Sequence, residues 1–167
     1  MSLRKSLDVP YFAAVFARTA QSWTGREADL DEVESLEDVA EMLHDAVTGQ
    51  QPALLLLEEN DEWFAIVRVN GYGDPQVFLS DGRAPLSSGL AGMLHEEIES
   101  AGEDTEEEEQ SRVLSGEPSG DTDVLEDLGT GAEALLELTT EEGVLPADAL
   151  STVAENAGFA EELERLR

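Results

Sequence analysis

Residues 53–79 read ALLLL, WFAIVRV and QVFL, three apolar runs separated by the polar pieces EENDE and NGYGDP. No other feature restricts the fold of this chain as strongly. Runs this short are strand-sized, and polar, Gly- and Pro-bearing breaks between them are turn chemistry. Ala53 to Leu57 has no polar position at all, which places it in the middle of a sheet covered on both faces. Glu62 to Val69 alternates and Gln76 to Leu79 is short, with turns at Glu58 to Asp61 and at Asn70 to Pro75. The three together predict an antiparallel meander. Trp63 and Phe64 are neighbours, so each face of the second strand carries one large ring, and core on both faces is the expectation.

The segments before the meander supply more of the same sheet. YFAAVFART, Tyr11 to Thr19, predicts a largely buried strand, and a second extended piece over Trp23 to Leu30 returns beside it through Ala20, Gln21 and Ser22. SLEDVAEMLHDAVTG predicts a helix: Ser35 and Asp38 have capping-box spacing, Leu36, Val39, Ala40, Leu43 and Val47 share one stripe, and Gly49 stands where a cap would. After Pro85, Leu90, Met93, Leu94 and Ile98 recur at helical spacing.

Composition then changes. AGEDTEEEEQSRVLSGEPSGDTD, Ala101 to Asp123, is nearly devoid of apolar residues, so it buries too little surface to offset the entropy of ordering and reads as a disordered acidic linker. Beyond it GAEALLELTTEEG predicts a helix, and another starts at Pro146 with Gly158 after its end. Leu145, Leu150, Val153, Phe159, Leu163 and Leu166 form a helical cluster too small to hold a core alone, so it docks on the sheet. The expected architecture is an α+β fold with an antiparallel sheet domain over 8–100, the acidic linker over 101–123 and a C-terminal helical segment over 124–167.

The charge excludes several functions. Asp and Glu number 39 against nine Lys and Arg, a formal net charge of -30. Such a surface repels phosphate backbones and anionic lipid, so direct binding to nucleic acid or membrane is not expected, and a basic protein or cations are the attractive partners. The absence of Cys removes disulfides, thiol nucleophiles and cysteine-bound zinc. MSLRKSLDVP has no apolar segment after its basic pair, and no apolar run of about eighteen residues occurs, so a cytoplasmic location is expected.

No catalytic constellation emerges. His44 and His95 lie on different predicted helices, and each reads as a surface histidine among carboxylates. Carboxylate pairs are too numerous for any one to stand out. Asp61, Asp74 and Asp81 fall at strand ends, where turns and sites both use Asp. No phosphate-binding glycine pattern or serine triad motif is present, and EDTEEEE lacks the order of a calcium loop. No cofactor, metal site or catalytic residue is therefore assigned. Arg68 interrupts an apolar run and calls for an acid on a neighbouring strand.

Three blocks carry a family resemblance: YFAAVFARTAQSWTGREADLDEVESLEDVAEML, DEWFAIVRVNGYGDPQVFLSD and LPADALSTVAENAGFAEELERLR. In these, and in the order of strand, helix, meander, acidic spacer and helical tail, the chain resembles the actinobacterial tRNA adenosine deaminase-associated proteins. The resemblance implies an accessory role beside a tRNA-specific adenosine deaminase and brings no catalytic residues. The chain is not itself such a deaminase by its residues: that chemistry uses HxE and PCxxC motifs around zinc, whereas His44 begins HDA, His95 begins HEE, and Cys is absent.

Two functional expectations follow. The first is a non-catalytic adaptor or regulator that meets a tRNA-specific adenosine deaminase or another basic protein through acidic surface, with Asp61, Trp63, Asp81, Glu106, Glu107, Glu108 and Glu109 as partner-binding candidates. The second is a small-molecule-binding protein or enzyme with a pocket on the sheet involving Arg68, Asp81 and Trp63. Neither expectation sets the oligomeric state.

Overall fold

The computed structural model describes residues 11–20, 22–30, 33, 35–47, 51–59, 62–70, 75–81, 92, 94, 118–140 and 145–166. Among these, six strands form one antiparallel sheet: β1 (Tyr11–Arg18), β2 (Trp23–Glu27), β3 (Pro52–Glu59), β4 (Trp63–Asn70), β5 (Gln76–Leu79) and β6 (Ser119–Gly120). The order across the sheet is β2-β1-β3-β4-β5-β6. Helices α1 (Leu36–Ala46), α2 (Ala132–Thr140), α3 (Pro146–Ala157) and α4 (Ala160–Leu166) complete the α+β fold, with a 3-10 turn at Glu126–Leu128.

Strand alternation divides the core in two. Val15, Leu55, Leu57, Trp63, Val67 and Leu79 face α1, whose Leu36, Val39 and Leu43 join them. Phe16, Leu54, Leu56, Phe64, Ile66 and Phe78 face the other way, toward Leu150, Val153, Phe159 and Leu163 of the C-terminal helices. An antiparallel sheet commonly leaves one face in water; here helices cover both, which is why β3 tolerates no polar residue between Ala53 and Leu57. Trp63 and Phe64 each enter the core on their own side of β4.

Local signals set the helix ends. The Ser35 side chain accepts from the Asp38 N–H at 3.4 Å, and α1 closes when the Val47 N–H reaches the carbonyls of Leu43 and His44. Pro146 opens α3, and Gly158 ends it at φ 101, a left-handed conformation that glycine adopts without strain. Phe159 then stacks on Phe16 with ring centroids 4.4 Å apart and lies 4.9 Å from the Trp23 ring. The Trp23 indole N–H donates to the Ala157 carbonyl at 3.2 Å. These contacts seat the helical tail on the sheet.

Several details differ from the sequence reading. β3 does not turn at Glu58 but runs on to Glu59, and both glutamates are buried. Their register partners are aromatic, Phe12 and Phe64 beside Glu58, Tyr11 and Trp63 beside Glu59. The rings shield the aliphatic stems, and the Trp63 indole N–H donates to Glu59 Oε1 at 3.1 Å. β2 stops at Glu27 and does not reach Leu30, whose N–H bonds instead to the Tyr11 hydroxyl. Leu145 is not part of the helical cluster; it is 52% exposed at the start of α3. Residues 118–123, assigned above to the end of the linker, contain β6 and the turn after it, with Leu79 opposite Ser119. Gly49, His95 and residues 101–117 lie outside the described residues, as does most of the helix expected after Pro85, of which Leu94 is buried in the core facing α1.

Candidate interaction surface

Arg68 is the one cation among the described residues that the fold buries. It leaves β4 on the face toward the C-terminal helices, in line with Phe64 and Ile66, where an apolar residue is the rule. Four of its five N–H donors have partners within the protein. Nη1 donates to the Val124 carbonyl at 2.7 Å and to Asp127 Oδ1 at 2.6 Å, Nη2 donates to Asp127 Oδ2 at 2.9 Å, and Nε donates to Asn70 Oδ1 at 2.8 Å. The bidentate geometry is the strong form of an Arg–carboxylate contact. Those hydrogen bonds, with a Coulombic share from Arg68 and a smaller one from Arg18, hold the Asp127 carboxyl below its ordinary range, against the opposing cost of partial burial.

The acid that Arg68 called for is thus not on a neighbouring strand. It comes from the turn after β6, 59 residues along the chain. Arg68 itself was the visible signal, a charge inside an apolar run. Asp127 was not, being one acid among 39.

Trp63 and Arg68, two of the three residues expected around a pocket, do not converge. Trp63 is buried on the α1 side of β4, Arg68 points to the opposite face, and Asp81 follows β5 at a half-buried position. A pocket lined by these three is not assembled, since an odd spacing along one strand sends Trp63 and Arg68 to opposite sides. Asp61 and Glu106 to Glu109 lie outside the described residues. Among the described residues no group of three His, Asp or Glu side chains is arranged as a metal ion would need, and no helix is long and apolar enough to cross a membrane.

What the described surface does present is acid on every layer. Glu37, Glu41 and Asp45 stand one helical turn apart on the exposed side of α1. Glu133 and Glu137 do the same on α2. Asp148 and Glu155 on α3, Glu161 and Glu164 on α4, and Asp121, Asp123 and Glu126 around the 3-10 turn are also exposed. The exposed arginines against them are Arg18, Arg26 and Arg165, and Arg165 already lies 4.0 Å from Glu161. The amphipathic helices produce this pattern: their apolar stripes are consumed by the two cores, and the remaining faces are acidic.

The family model described as Rv3753c-like tRNA adenosine deaminase-associated protein matches residues 11–160. No curated protein and no solved structure matches the chain.

Proposed function

The chain belongs to the Rv3753c-like tRNA adenosine deaminase-associated protein family, and from that premise we propose that it is a non-catalytic accessory protein that binds a tRNA-specific adenosine deaminase through its acidic surface. The family membership carries the reading, and the charge gives it a physical route. An enzyme that handles tRNA needs a basic surface to hold the phosphate backbone. A chain of net charge -30, with acid exposed on each of α1 to α4, is complementary to such a surface. Glu106 to Glu109 extend the same sign, and the accessory protein competes with or shields against tRNA where the two surfaces overlap.

Calorimetric titration into the purified tRNA adenosine deaminase of the same organism, at low and at physiological salt, tests this. Saturable binding that weakens with salt is the expected result, because screening at about 0.15 M already limits exposed charges to roughly 8 Å of reach. A version lacking residues 101–117 isolates the acidic run; the deletion stops short of Ser119 because β6 belongs to the sheet. No binding at either salt, with an active deaminase, overturns the reading.

A further inference from the structure

Three residues of β2 turn their backbone hydrogen-bonding groups away from the sheet. The β1–β2 hairpin closes with the Thr19 N–H on the Ser22 carbonyl at 2.7 Å, and at its other end the Ala28 N–H reaches the Ala13 carbonyl at 2.9 Å. In an antiparallel ladder, opposed residues alternate between pairs that exchange bonds and pairs that do not. Val15 opposite Arg26 and Ala17 opposite Thr24 are in phase with those two bonds. Thr24 and Arg26 therefore bond to β1, and the N–H and C=O groups of Trp23, Gly25 and Glu27 face outward. β2 ends the sheet, and among the described residues no strand pairs with that edge.

An open edge is a template for an added strand, with backbone bonds supplying affinity and flanking side chains supplying selectivity. The flanks here are unequal. On one side lies α4, close enough that a Cβ built on Gly25 would sit 3.3 Å from the Glu162 Cβ. Glu27 is exposed on that side, and Glu161 and Glu164 are exposed on the helix. On the other side the exposed side chains are Thr24 and Arg26. A second copy of this chain is a poor occupant, because each brings the same charge of -30.

We propose that the outer edge of β2 receives an extended segment of the basic partner by strand addition. The segment carries Lys or Arg at alternate positions toward α4 and uncharged or acidic residues toward Arg26. This rests on the accessory reading above and locates its contact.

Glu27→Pro is the selective probe. It removes an outward N–H while the bonds of Thr24 and Arg26 to β1 remain, and proline is tolerated on an edge strand. Glu27→Gln separates the lost charge from the lost donor. Titrated as full chains into the tRNA adenosine deaminase, Glu27→Pro is expected to bind roughly tenfold more weakly or worse at unchanged melting temperature. Glu27→Gln loses less, and its loss shrinks with salt. Hydrogen exchange on the unmodified protein gives a second measurement that needs no variant: the amides of Trp23, Gly25 and Glu27 slow on complex formation. Binding by a folded Glu27→Pro equal to that of the unmodified chain, or no slowing of those amides in the complex, overturns the edge contact and leaves the accessory role standing. No binding by the unmodified chain overturns both.

Discussion

The carboxylate of Asp127 grips the guanidinium of Arg68 with both oxygens, at 2.6 and 2.9 Å, across 59 residues of chain. The two partners sit in different surroundings: the Arg68 side chain is 7% exposed and that of Asp127 66%. With the Val124 carbonyl on the same guanidinium, the contact fastens the turn after β6 to the middle of the sheet. It also makes an Arg possible on a face whose other buried strand side chains, Glu58 excepted, are apolar.

That asymmetry predicts unequal mutational costs. Asp127→Ala strands a buried cation and should cost about 2 kcal/mol, near the upper part of the range for an orphaned buried polar group. Arg68→Met leaves a solvated carboxylate and one buried carbonyl without its donor, while methionine fills much of the space, so about 1 kcal/mol is expected. Urea unfolding of both variants measures the difference, and equal costs would count against the buried cation as the sensitive partner.

The same pair predicts a pH dependence. Hydrogen bonds from Arg68 lower the folded-state pKa of Asp127, so folding favours the ionised carboxylate. The stability from this group is fully present above its unfolded value and is lost as pH falls through the lower folded one. The stability gap between the unmodified chain and Asp127→Asn should be constant from neutral pH to about pH 5 and should narrow only in more acid solution, below about pH 4. Denaturant midpoints taken across that range check it.

Gly25 predicts a steric cost. A Cβ at this position would lie 2.7 Å from the Phe16 ring, and Phe16 is held in turn by its stack on Phe159. Gly25→Ala should therefore lower stability by about 1–3 kcal/mol, as overpacking does, although alanine is otherwise harmless on an edge strand. A melting temperature unchanged by the substitution would show that the ring has room to move.

Phe159 predicts a loss that can be seen spectroscopically. It is fully buried between Phe16 and Trp23 where α3 passes into α4. Phe159→Ala should cost about 3–5 kcal/mol, and the emission of Trp23 should shift to the red as its ring loses cover. Trp63 lies on the other face, so Trp63→Phe removes the competing signal from the measurement.

Much of the architecture was legible because each element states its own boundary conditions. ALLLL cannot be satisfied at a sheet edge, and β3 sits between β1 and β4. The stripe of Leu36, Val39 and Leu43 is buried against the sheet, and the pairing of Pro146 with Gly158 bounds α3. These are periods and local backbone preferences, and they act over a few residues. Arg68 declared a need for an anion by the same local logic.

What answered that need was decided at long range. Thirty-nine acids offer no way to select Asp127 from the sequence, because the choice depends on β6 pairing with β5 and carrying the next turn back over β4. Glu58 and Glu59 stay in their strand for a similar reason, since the aromatic partners that shelter them come from β1 and β4. Trp63 and Arg68 share a strand and a short spacing, yet the pleat separates them into different cores. Patterning alone determined most of the buried apolar positions and most of the elements they form, Leu145 and the buried Glu58 and Glu59 excepted, because hydrophobic periodicity is a property of the local chain. Which buried groups meet was left to the tertiary structure, because strand order and side-chain pairing are set by contacts between segments far apart in sequence.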